Sequence, residues 1–156
     1  MSKNIQKPSL STILGIEHPI IMAPMFLVSN TAMVIAAGKA GISGSIPALN
    51  FRTTADFKNA INEIKQNSSA PFGINLIVNK SNFLYKEQLE ACCELKVDYI
   101  ITSLGSPEET IKEAKKAGVK VFCDVVDAVY AKKVEELGAD AVIAVNNKAG
   151  GHAGPK

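Results

Sequence analysis

Short apolar runs alternate with longer amphipathic stretches along most of this chain. The runs are Pro19-Ile20-Ile21-Met22, Gly41-Ile42-Ser43-Gly44, Phe72-Gly73-Ile74-Asn75-Leu76, Tyr99-Ile100-Ile101, Val119-Lys120-Val121-Phe122 and Ala141-Val142-Ile143-Ala144-Val145. Each is brief and rich in Ile or Val, a pattern that suits a strand covered on both faces. The stretches between them carry helix punctuation. Ser29 or Asn30 can cap a helix through Met33 and Ala37 that Gly38 and Gly41 end, and Thr53 or Thr54 can cap one through Phe57, Ile61 and Ile64. A third helix covers Tyr85 to Leu95. Ser106-Pro107-Glu108-Glu109 opens a fourth, with an early proline and acids in the first turn, and Ala117-Gly118 closes it. A fifth runs from Asp127 to Leu137 and stops at Gly138.

The segments Ala114–Val121 and Val134–Val142 repeat one another as helix end, glycine stop, turn and buried strand. Repeated βα units leave two architectures, the open doubly wound sheet and the closed barrel. Neither Gly-x-Gly-x-x-Gly after a strand nor Gly-x-x-x-x-Gly-Lys-Ser/Thr occurs, so both common nucleotide fingerprints of open sheets are missing. Polar or turn-forming residues follow nearly every run: Ala23-Pro24-Met25, Ser45-Ile46-Pro47, Asn75, Thr102-Ser103, Asp124 and Asn146-Asn147. Barrel enzymes build their sites there. The expected fold is therefore the N-terminal portion of a (β/α)8 TIM barrel, with about six strands and five helices. Residues 1–156 form a single incomplete domain on this reading, a fragment with two unpaired strand edges prone to aggregation.

Composition changes this picture little. The chain has 156 residues, 47% hydrophobic and 21% charged, as in ordinary globular proteins. A net charge of +2 is too small to argue for nucleic acid or an anionic membrane, and neither is expected as partner. No apolar run reaches the roughly 18 residues of a spanning helix, and the start lacks a signal peptide's apolar segment, so the expected location is cytoplasmic. Of three cysteines, Cys92 and Cys93 are adjacent and no Cys-x-x-Cys occurs, which points to buried free thiols. With only His18 and His152 as histidines, no zinc site is expected. A small-molecule substrate is the expected partner, and a homo-oligomer remains open.

The segment with most chemical content is Lys148-Ala149-Gly150-Gly151-His152-Ala153-Gly154-Pro155, after the sixth run. Glycines let the backbone approach a ligand, and a histidine among them can take a proton near neutral pH. A solvent-exposed turn that happens to hold a histidine explains the spacing equally well.

Four segments together carry a resemblance: Pro19-Ile20-Ile21-Met22-Ala23-Pro24-Met25, Ala36-Ala37-Gly38-Lys39-Ala40-Gly41, Pro71-Phe72-Gly73-Ile74-Asn75-Leu76 and Ala149-Gly150-Gly151-His152-Ala153-Gly154. In this order and spacing they resemble the nitronate monooxygenase (2-nitropropane dioxygenase) family, which includes FMN-dependent enoyl-ACP reductases. The resemblance implies a TIM-barrel flavoprotein with FMN at the carboxyl ends of the strands. It implies that the backbone of Ala23, Pro24 and Met25 lines the isoalloxazine and that Asn75 bonds the flavin's polar edge. Gly150 and Gly151 would pass close to the cofactor, and His152 matches the family's base. The FMN phosphate would rest on glycine-rich loops after a seventh and an eighth strand, so residues 1–156 alone would bind FMN poorly. The implied reaction is oxidation of alkyl nitronates or nitroalkanes with oxygen to a carbonyl compound and nitrite. The alternatives are an enoyl-ACP reductase and a non-catalytic half-barrel. Met22-Ala23-Pro24-Met25 and Asn146-Asn147 lean toward the monooxygenase.

Plainer explanations stand beside these. Ala23-Pro24-Met25 can be an ordinary strand exit, and Asn75 a cap or a satisfied core amide. Gly38, Gly41 and Gly44 fit a helix stop and a tight strand start better than a phosphate loop. Asp124 can face the pocket or cap the helix behind it, and it departs from relatives that carry a basic flavin contact there. Asn146-Asn147-Lys148 departs from relatives with Gly and Glu before the glycine pair. His18 reads as structural.

Overall fold

Two apolar surfaces, one on each face of a six-stranded sheet, organise the molecule. The computed structural model describes residues 8–150. Its strands are β1 (Ile21–Met22), β2 (Ser43–Pro47), β3 (Phe72–Ile77), β4 (Tyr99–Ser103), β5 (Lys120–Val125) and β6 (Ala141–Ala144). They pair in chain order and every pairing is parallel. Helices α2 (Thr31–Lys39), α3 (Thr54–Asn67), α4 (Tyr85–Glu94), α5 (Glu108–Ala117) and α6 (Ala128–Leu137) connect them, after a short α1 (Leu10–Leu14). The sheet curls into the N-terminal part of a TIM barrel, the architecture that the missing nucleotide fingerprints and the polar strand ends favoured over an open sheet.

The outer face buries Ile46, Phe72, Ile74, Leu76, Ile100, Val121 and Cys123 against the helices. α3 shows why it folds there. Phe57, Ala60, Ile61 and Ile64 recur at helical spacing on one buried side, and the Thr53 hydroxyl accepts from Asp56 N. Phe57, Ile61 and Ile64 each contribute roughly 1.5–3 kcal/mol when fully buried. The expected stops hold at Gly118 and Gly138, which take the left-handed conformation after α5 and α6.

The inner face carries Tyr99, Ile101 and Phe122, with Ala141 and Ile143 beside them. Leu10, Ile13, Leu14 and Ile16 pack on this surface from the α1 side. α1 was not expected from the sequence, because five residues are too few to show a helical period.

Three sequence expectations change. β2 spans Ser43–Pro47, so Ser45-Ile46-Pro47 lie within the strand and not after it, as do Thr102-Ser103 in β4 and Asp124 in β5. Ser43–Pro47 holds a single Ile because small residues are needed: a Cβ at Gly44 would stand 2.8 Å from Val34 Cα of α2. Gly38 lies inside α2 and is not its stop; Gly41, at φ 76°, turns the chain instead. Finally, Cys92 and Cys123 are buried free thiols as expected, but Cys93 is only half-buried.

Candidate active site at the carboxyl rim

Parallel strands deliver all their carboxyl ends to one rim, so residues far apart in sequence meet there. The loop after β1 is held by two side chains. Met25 N donates to Ser29 Oγ (2.8 Å), and Ser29 Oγ donates to the Ala23 carbonyl (3.3 Å). Leu27 N donates to Asn50 Oδ1 and Asn50 Nδ2 donates to the Ser29 carbonyl, both at 2.8 Å. Ser29 is buried, whereas Met25, Phe26 and Leu27 are exposed apolar side chains. Leu27 takes φ 57°, an unfavourable conformation for a side chain of its size that these bonds sustain. Ala23-Pro24-Met25 is thus a strand exit, fixed in place and carrying an apolar surface.

Asn75 stands near the end of β3 on the inner face, 8% exposed. Its Nδ2 donates to the Ile101 carbonyl (3.2 Å) and to Ser103 Oγ (2.8 Å) of β4. Ser103 Oγ donates to Asp124 Oδ2 of β5 at 2.5 Å. Asp124 therefore faces the inner side, while Asp127 caps α6 by accepting from Tyr130 N. Burial raises the Asp124 carboxyl above its usual range, and the Ser103 hydrogen bond works against that rise. Deeper along the inner face, Tyr99 Oη shares a 2.8 Å hydrogen bond with Ser43 Oγ, and its ring stacks on Phe122 at 4.8 Å.

The structure brings Asn75 and Asp124 together through Ser103. Sequence reasoning noted Ser103 only as part of a polar strand end, and weighed Ser29 only as a helix cap. Asn50 carried no signal, because its role depends on a loop 23 residues away. Gly150 is exposed in the loop after β6, with open space around it. Gly151 and His152 lie outside the described residues. His18 sits exposed before β1, its Nε2 3.6 Å from Glu17 Oε1. Among the described residues, no group of three or more His, Cys, Asp or Glu side chains could hold a metal ion. None of the described helices is long and apolar enough to cross a membrane.

A flavin's isoalloxazine has two apolar faces and one polar edge. The rim offers a matching set: exposed apolar side chains on a fixed loop, and an amide whose oxygen accepts no hydrogen bond from a described residue. The residues present fit such a group.

A curled parallel half-barrel with its polar side chains gathered at the carboxyl rim defines the first part of a TIM-barrel enzyme. The nitronate monooxygenase family profile matches residues 7–156. The chain belongs to that family. It is 30% identical over 149 residues to the (3aS,4S,5R,7aS)-5-hydroxy-7a-methyl-1-oxo-octahydro-1H-indene-4-carboxyl-CoA dehydrogenase of Rhodococcus jostii, covering 96% of this chain and 41% of that protein. It is 28% identical to a nitronate monooxygenase of Paraburkholderia phytofirmans, covering 99% of this chain and 52% of that one. FabK from Thermotoga maritima superposes with a TM-score of 0.87 at 34% identity, over 94% of this chain and 46% of its own. The chain thus spans about half the length, or less, of these relatives.

Proposed function

We propose that the intact protein is an FMN-dependent oxidoreductase that oxidises alkyl nitronates and nitroalkanes. The observation that carries this reading is the carboxyl rim, where a fixed apolar loop suits one face of a flavin and an accepting amide suits its polar edge. The family match over residues 7–156 supports it. Bound FMN would supply the two-electron chemistry that no side chain offers. Ala23, Pro24 and Met25 would bed the ring system on their loop, and Asn75 would accept at its polar edge. Gly150 and Gly151 would let the backbone pass close by. His152 would take the proton from the carbon of a neutral nitroalkane. A cytoplasmic location belongs to the same proposal.

His152→Ala in the intact protein is the test of the base. Turnover of neutral nitroalkanes should fall by about 100-fold or more, while preformed nitronates, which have no proton to lose, should keep most of theirs. Equal turnover of the neutral substrate would remove His152 from the mechanism.

A second reading, redox chemistry beside an acyl thioester carbonyl, is favoured by one observation. The dehydrogenase at 30% identity is named for a carboxyl-CoA substrate, and it stands above the nitronate monooxygenase at 28%. Oxygen uptake with nitronate, set against NAD(P)H oxidation by an enoyl thioester, separates the two.

A further inference from the structure

The row from β3 to β5 has a single direction. A backbone carbonyl can only accept, so the end of Asn75 that faces Ile101 O at 3.2 Å must be the amino group. Its second N–H goes to Ser103 Oγ at 2.8 Å. The Ser103 hydroxyl, having accepted, spends its own proton on Asp124 Oδ2 at 2.5 Å. Asp124 ends the row, since a carboxylate oxygen needs only a lone pair to accept. Both Asn75 N–H groups are thereby used, which leaves Oδ1 as its one free function. No described residue donates to that oxygen. Among the described residues no buried side-chain polar atom lacks a partner, so Oδ1 is not sealed away from a ligand.

We infer that Ser103 and Asp124 are positioning residues that hold Asn75 with its carbonyl oxygen toward the barrel mouth, so that the site selects a ligand edge carrying an N–H donor. This rests on the flavin reading for the identity of the ligand. Oxidised isoalloxazine has a single ring N–H, at N3 between two carbonyls. A turned amide would offer donors to that N–H and repel it. Without Ser103 the amide keeps only the Ile101 carbonyl, and without Asp124 the Ser103 hydroxyl is free to rotate and present its proton to Asn75.

The experiment titrates the intact apoprotein with FMN and with 3-methyl-FMN, which lacks the N–H, and reads flavin fluorescence. The phosphate and the ring faces are common to both ligands, so their affinity ratio isolates the N3 edge. Wild type should prefer FMN by about tenfold, the scale of one lost hydrogen bond. Asn75→Leu should abolish that preference. Ser103→Ala and Asp124→Ala should lower it to about threefold or less, while Ser103→Thr, which keeps the hydroxyl, should retain it. Far-UV circular dichroism checks that each variant folds, and the Thr variant remains informative if the Ala variants do not fold: loss of preference there overturns the inference. An undiminished preference in Ser103→Ala and Asp124→Ala, with loss in Asn75→Leu, overturns the positioning role and leaves the Asn75 contact standing. Unchanged affinities in Asn75→Leu overturn the contact itself, and an intact protein that takes up neither flavin overturns the functional reading as well.

Discussion

Gly73 is the position where one added carbon should have the largest calculable effect. The Tyr99 side chain, fully buried, lies across Gly73 on the neighbouring strand to reach Ser43 on the strand beyond. A Cβ at residue 73 would stand 2.7 Å from Tyr99 Cδ2 and still closer to Cε2 and Cζ. Carbon atoms in contact prefer about 3.5–4.0 Å. The ring cannot yield easily, because it stacks on Phe122 with an interplanar angle of 20°. Gly73→Ala should therefore incur an overpacking cost of about 1–3 kcal/mol. Displacing Tyr99 from Ser43 adds about 0.5–1.5 kcal/mol, and the smaller backbone entropy loss of alanine in a strand returns about 0.5–1 kcal/mol. The net destabilisation is about 2 kcal/mol, read as a lower urea midpoint at unchanged slope. Removing the ring should relieve it, so Gly73→Ala in a Tyr99→Ala background should be close to neutral. A Gly73→Ala protein within about 0.5 kcal/mol of wild type, or an equal cost in both backgrounds, would refute the steric account.

Asn82 holds the loop after β3: its Nδ2 donates to the Ile77 carbonyl and to Gln88 Oε1, and its Oδ1 accepts from Leu84 N. Asn82→Ala should cost about 2–3 kcal/mol, because the buried Gln88 oxygen loses its donor, and limited proteolysis should find new cleavage between residues 79 and 84. Asp124 gives a pH prediction. Its carboxyl is raised in the folded chain by burial, partly offset by Ser103, so the fold holds that proton more tightly than the unfolded chain does. That contribution is fully present below the unfolded pKa and is lost as pH rises through the folded value. Asp124→Asn lacks the titration, so its stability relative to wild type should rise as pH increases through and above the ordinary carboxylate range; a constant difference in urea melts across that rise would contradict the burial of the group.

Five helices and the strands were legible because their signals are local. Phe57, Ile61 and Ile64 announce a buried helix face without reference to anything else in the chain. The caps at Asn30, Thr53 and Asp127 bond backbone N–H groups three residues on. β2 was misplaced by a few residues because its Ser-Gly-Ser-Ile-Pro sequence is chosen by its neighbours. Its serines would signal a turn in isolation, but here Ser45 donates to the Met22 carbonyl and Ser43 to that of Pro71.

By itself, then, the amino-acid sequence determined the repeating βα plan, since periodicity and capping act over three or four residues, while the polar strand ends favoured the barrel and the family resemblance marked Asn75. Tertiary structure decided what Asn75 can offer. Its amide direction depends on Ser103 and Asp124, 28 and 49 positions along the chain by residue number. The Tyr99–Ser43 contact spans 56. Such partners meet only when parallel strands come into register, and no local pattern encodes that meeting.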